Sequence, residues 1–177
     1  MNYFYVQINP PIGELRASWP SHAIYETLYD DNLIERFNVY RCIEEKESLS
    51  SHQQFYQTKN GLHKYEILLV DIKIGNKLNG NHGIIHGGII SLLFDEAMGW
   101  ARGIMIHPND PTVIYVTANL TVNFRSPLME GSEAVIRVYH ESTVNSKVRF
   151  SAVLEAHDGS VVFAEAGGLF LPTKSKL

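Results

Sequence analysis

Between Gly61 and Pro172 the side chains alternate as in a sheet in five places and repeat as in a helix in only one. "HKYEILLVDIKIG" sets Leu69, Asp71 and Lys73 against Val70, Ile72 and Ile74. "TVIYVTANLTVNFRS" sets Val116, Ala118, Leu120, Val122 and Phe124 against Thr117, Asn119, Thr121, Asn123 and Arg125. Ala134, Ile136 and Val138 form a third alternation, and Val148, Phe150, Ala152, Leu154 and Ala156 a fourth. Asp158-Gly159 then marks a tight hairpin into "SVVFAEAGGLFLP". Strands joined by short turns run antiparallel. The single helix, Gly88 to Ile104, is apolar nearly all round. One such helix for about five strands predicts an α+β fold in which a curved antiparallel sheet wraps a central helix. Part of that helix then stays uncovered, and a partner subunit is its natural cover.

The first 60 residues follow another pattern. "NPPIGELRASWPS" carries three prolines and reads as extended. From His22, with Ser21 as a cap, Ile24, Leu28, Leu33, Ile34, Phe37, Tyr40 and Cys42 recur at roughly helical spacing. The expectation is a mostly helical extension over 1–60, ended by the Asn60-Gly61 turn, and a domain over 61–177 able to fold without it. A net charge of −4 offers no basic surface for nucleic acid. The one cysteine, Cys42, excludes an intrachain disulfide and a cysteine-rich zinc site. There is no run of about 18 apolar residues for a membrane span. The N-terminus shows no secretory pattern, and Glu14 with few arginines argues against a transit peptide. The expected compartment is the cytoplasm, with the mitochondrion as the alternative.

On the helix, Gly88, Ser91, Asp95, Gly99 and Arg102 fall at spacings of three and four and share one stripe. The small residues admit another backbone or a ligand beside Asp95. A buried carboxylate is paired, protonated or functional. One reading is a satisfied polar stripe between helices; the other is chemistry. The entrance, "HGG", bears on the choice. A helix N-terminus offers free N–H groups, and glycines let a ligand oxygen approach them. That is what an oxyanion requires. Gly87 and Asp95 are nevertheless eight positions apart, about 12 Å along a helix. They meet at one carbonyl only if two helices run antiparallel across a two-fold axis.

"HGGIISLLFDEAMG" resembles the His-Gly-Gly-x6-Asp signature of hotdog-fold acyl-CoA thioesterases, in the PaaI-type and mitochondrial long-chain branch. "VTANLTVNFRSPL" is similar to a strand of that branch, and the resemblance covers about residues 62–172. It implies hydrolysis of an acyl-CoA to a carboxylic acid and coenzyme A, as in fatty acid metabolism, by a homodimer or a dimer of dimers. It implies Asp95 as nucleophile or general base, Gly87 as the oxyanion N–H, and His86 as a catalytic-site residue that shapes the turn and contacts substrate or Asp95. Thr117 matches a threonine that holds the water or the carboxylate. Gly88 and Ser91 would contact substrate, and Phe94 and Met98 would line an apolar acyl tunnel. No metal or other cofactor is implied. Two departures matter. Some members carry Asn six residues before the histidine, where this chain has Gly80. Thr117 also lies on the polar parity of its strand, so it reaches the site only through a bulge or at the strand's end. His82 and His86 have helical metal-pair spacing but sit among glycines with no third ligand. Glu96 is expected to cap a polar contact or pair at an interface. The alternatives are a hotdog hydratase or dehydratase and a non-catalytic acyl-CoA-binding protein.

Overall fold

The computed structural model describes residues 3–44, 56–57, 63–105 and 113–174. Ten strands and two regular α-helices lie among them. The strands are β1 (Tyr3–Gln7), β2 (Ile34–Glu44), β3 (Tyr56–Gln57), β4 (His63–Ile74), β5 (Asn79–Asn81), β6 (Ile84–Ile85), β7 (Val113–Phe124), β8 (Glu133–Val144), β9 (Lys147–Glu155) and β10 (Val162–Lys174). Helix α1 spans Ile12–Ser18, a single π-helical turn follows at Ala23–Leu28, and α2 spans Gly87–Met105. The main sheet runs β1-β2-β4-β8-β9-β10-β7, with β3 beside β4, and every pairing is antiparallel. The central helix packs on its inner face through Ile90, Leu93, Phe94, Ala97, Met98 and Ala101.

About five strands were expected; among the described residues this sheet has eight. The surplus comes chiefly from the N-terminal segment, which is not mostly helical. Residues expected as helix from Ile34 onward form β2 instead. The register of β2 on β4 slips between Ile34 and Arg36, so Glu35 is an extra residue and the strand changes parity there. Buried Ile34 and Phe37 therefore stand three apart, a spacing that a helix also produces. Conversely, "IGELRAS", expected as extended, forms α1, with Pro11 just before its first residue. His22 rather than Ser21 caps the π turn, its ring accepting from Ile24 N–H. The Asn60-Gly61 turn lies outside the described residues.

Segment 3–44 shares the sheet and core of the rest. Ile24, Tyr25, Ile34 and Val39 are fully buried. β2 covers the edge of β4 from Ile34↔Ile74 to Arg41↔Leu68. A chain beginning after residue 44 is expected to expose these apolar partners and an open strand edge, and to aggregate or bind a hydrophobic dye. A soluble truncated chain with a cooperative melt would overturn that.

One charged cluster ties four strands together. Glu66 on β4, only 2% exposed at its side chain, accepts from Tyr5 Oη at 2.8 Å and from Arg137 Nη1 at 3.1 Å. Arg137 Nε also donates to Glu155 at 2.7 Å. Burial pushes the Glu66 carboxyl above its ordinary range, and the Arg137 charge opposes that shift. Arg137→Met leaves this carboxylate buried without its cation, which is expected to cost about 3–5 kcal/mol. Because the folded-state pKa of Glu66 is raised, the folded chain binds its proton more tightly than the unfolded one. The variant should therefore regain stability as pH falls through that raised pKa and lose it again as pH rises. Urea unfolding in mildly acidic and mildly alkaline buffer checks both the size and the sign.

Candidate active site

The loop before α2 is pinned from both sides. Ile85 N–H donates to Leu128 O and His86 N–H to Leu78 O, each at 2.9 Å, while Gly83 turns the β5–β6 hairpin at φ 73°. His86 then starts the helix. Its carbonyl accepts from Ile89 N–H at 2.9 Å, and its ring Nδ1 accepts from Gly88 N–H at 2.8 Å. The imidazole is thus the cap of α2, and a neutral ring in this role carries its proton on the exposed Nε2. Gly80 and Gly88 flank the ring: a Cβ at Gly80 would stand 2.7 Å from His86 Cδ2, and one at Gly88 2.9 Å from Nδ1. The position where some hotdog thioesterases carry Asn is therefore space that His86 itself fills. Among the described residues, no acceptor is recorded for Gly87 N–H, which lies in the first turn where the helix dipole is positive.

One turn on, Ser91 Oγ donates back to Gly87 O at 2.9 Å, so its hydroxyl serves the helix. Asp95 is half-buried, and Thr117 Oγ1 donates to its Oδ1 at 2.7 Å. That contact depends on a bulge. On β10, Leu169 and Phe170 are adjacent; on β7 their partners are Asn119 and Thr117, leaving Ala118 as an extra residue. Parity reverses at that point. Leu120 and Val122 pack on the core from one side of the bulge and Tyr115 from the other, whereas Val116 is 47% exposed rather than inward as its alternation predicts. The reversal turns Thr117 toward α2. Its hydrogen bond occupies one oxygen of Asp95 and fixes how the carboxylate is turned.

Phe94 and Met98 are fully buried in the core between helix and sheet. A Cβ at Gly168 would clash with Met98 Sδ, so that glycine is what lets the methionine seat on β10. Neither residue lines the cavity over α2, because both face the sheet, and Asp95, Thr117 and Gly87 are not on its wall either. Histidines 82 and 86 are not joined by further ligands: among the described residues no group of three or more His, Cys, Asp or Glu is placed to hold a metal.

The open space lies over the opposite face of α2. A cavity of about 850 Å³ runs between residues 18–22 and the stretch Glu96 to Ile104. Glu96 on its wall accepts from Tyr25 Oη and from Trp100 Nε1, and His22 Nε2 lies 3.5 Å away. Burial, then the Glu96 charge, pushes the Tyr25 hydroxyl far above its ordinary pKa, so it is a donor at all ordinary pH. Arg102, also on the wall, stacks its guanidinium 4.5 Å from the Tyr115 ring centroid. Sequence reasoning missed Tyr25, His22 and Trp19 as neighbours of α2, since nothing local signals a contact across 71 residues.

The edge beyond β7 is unpaired among the described residues and carries exposed Ile114, Val116 and Phe124. Among the described residues no helix is long and apolar enough to cross a membrane.

Residues 82–163 match the family model described as Thioesterase superfamily. Over 104 residues the chain is 31% identical to the acyl-coenzyme A thioesterase THEM4 of Bos taurus, a stretch that makes up 57% of this chain and 40% of that protein. The chain thus spans well under half the length of that relative. Among solved structures, thioesterase HI1161 of Haemophilus influenzae matches with a TM-score of 0.60 at 8% identity, over 94% of this chain and 93% of that one. The BH2602 protein of Bacillus halodurans, solved with CoA, matches with a TM-score of 0.53 at 22% identity, over 59% of this chain and 66% of that one. At such identities these structural likenesses speak for the fold alone. The fold is thus the hotdog fold, and residues 82–163 on it are similar to the thioesterase superfamily.

Proposed function

We propose that the chain is an acyl-CoA thioesterase that cleaves a thioester into a carboxylic acid and free coenzyme A. The observation that carries the reading is the Thr117–Asp95 hydrogen bond at the β7 bulge, which presents an oriented carboxylate beside an open strand edge. The thioesterase name of the curated relative supports it. Two chains pair across the bare β7 edges, which brings their α2 helices antiparallel. A dimer of dimers is compatible with the same pairing. Gly87 N–H of one chain then polarises the thioester carbonyl, and Asp95 of the other acts on its carbon. As general base, Asp95 takes a proton from water, the hydroxide adds to the carbonyl carbon, and the C–S bond breaks as the thiolate leaves. As nucleophile, the carboxylate adds to the carbonyl carbon, the C–S bond breaks with loss of the thiolate, and water then cleaves the resulting anhydride to the acid and the free Asp95 carboxylate. Thr117 holds Oδ1 in either case and leaves Oδ2 for the reaction. His86 acts by positioning: it caps Gly88 and so keeps the Gly87 N–H turned outward.

The test is release of thiol from a series of acyl-CoA chain lengths by the purified full chain. Turnover with at least one chain length is expected. Hydration of an enoyl thioester without thiol release would replace the reading with a hydratase. Binding of acyl-CoA with neither reaction would replace it with a non-catalytic binder.

A further inference from the structure

We infer that the cavity over α2 receives the acyl group and selects acyl chains that end in a carboxylate, with Arg102 as the residue that reads it. The inference rests on the thioesterase reading and adds the substrate class.

At about 850 Å³ the cavity falls within the usual range for small-molecule sites. Trp19 and Trp100, edge to face with centroids 6.0 Å apart, give it an apolar wall suited to methylenes. Gly99 and Gly103 lie along its helix side, and a Cβ at either would meet no atom within 4 Å. Those glycines leave room that no described protein atom uses.

Its two charged residues differ in how they are satisfied. Glu96 is occupied by Tyr25, Trp100 and His22. Arg102 is not: its Nε is shielded from solvent with no hydrogen-bond partner, and its one described contact is the Tyr115 ring. Partial burial lowers its pKa from the usual arginine value, opposed only by Tyr115 and by no carboxylate. Arg102 lines the cavity, and a partly desolvated guanidinium there is completed best by a planar anion that its terminal nitrogens can reach, a shape a carboxylate has.

The geometry also relates this charge to the reacting centre. Arg102 follows Asp95 by seven residues, two turns along the same stripe of α2, about 10 Å along the axis. Gly99 lies between them on that stripe, without a side chain to block the path. Of this stripe Gly99 and Arg102 line the cavity and Asp95 does not, so an acyl chain whose carbonyl sits at Asp95 enters the cavity over Gly99 and runs toward Arg102. A methyl end would leave the guanidinium uncompensated, whereas a terminal carboxylate would pair with it.

The experiment compares two thioesters of equal length, a straight-chain acyl-CoA and its ω-carboxyacyl counterpart, on the full chain and on Arg102→Gln. The wild type should prefer the carboxylated substrate in kcat/KM. Arg102→Gln should lower kcat/KM for that substrate by about 10- to 100-fold, the size of a lost charge-assisted pair, and change the methyl-ended one little. Gly99→Val, whose added atoms enter the cavity and not the protein, should slow both. An equal fall on both substrates for Arg102→Gln, no preference in the wild type, or a changed oligomeric mass for Arg102→Gln would overturn the inference while leaving the thioesterase reading in place. No thiol release from either substrate or from any other acyl-CoA would overturn both.

Discussion

Asp95→Asn is expected to lower kcat for thioester hydrolysis by about 10²–10⁴-fold, the usual effect of losing an acid–base group. The amide has the shape of the carboxylate, and its oxygen still accepts from Thr117 Oγ1, so the bulge and helix have no reason to move. What disappears is the ability to take a proton or to attack carbon. Stability and oligomeric mass should match the wild type, which separates a chemical defect from a folding one. Turnover within about threefold of the wild type, with the oligomer intact, would remove Asp95 from the mechanism.

The second large effect is a recovery. Gly87→Val introduces a Cβ 3.0 Å from Phe124 Cζ, tighter than ordinary contact, together with two further methyls beside the Gly87 N–H, for which no described residue serves as acceptor. That homodimer should be nearly inactive because the carbonyl cannot approach, and the Asp95→Asn homodimer nearly inactive because the carboxylate is gone. Gly87 and Asp95 lie on the same helix, about 12 Å apart along its axis, and so cannot serve one carbonyl within one chain. Mixing the two variants by subunit exchange builds sites in which Gly87 from one chain faces Asp95 from the other, both intact. With random pairing about half the dimers are mixed and each has one working site of two, so roughly a quarter of wild-type activity should return. Verified heterodimers without recovery would end the shared-site mechanism.

These two predictions draw on parts of the chain that were unequally legible. The alternation from Lys64 to Leu171 and the single apolar helix were enough to derive an antiparallel sheet around a helix, because side-chain period is local and each strand states its own. The glycine entrance and Asp95 were legible for the same reason: a helix N-terminus and a carboxylate on a small-residue stripe are properties of neighbouring residues. Their distance along one helix even implied a second chain.

Tertiary structure decided three things. Thr117 reaches Asp95 only because Ala118 bulges against β10, and Phe37 follows Ile34 by three only because Glu35 bulges against β4. A bulge is a slip in pairing with another strand, so the strand that contains it reads as misphased or as helical. Phe94 and Met98 likewise fell to the core and not to a tunnel because the sheet, not the helix, determines which part of an all-round apolar surface is covered. Last, Tyr25, His22 and Trp19 reach the far face of α2 across a long loop closure, where the contact energy depends on the finished fold and not on any local pattern. By itself the sequence determined the central helix, the five strands after Gly61 and the placing of Gly87 and Asp95 on that helix; the wall of the cavity over it was decided only when the N-terminal segment entered the sheet.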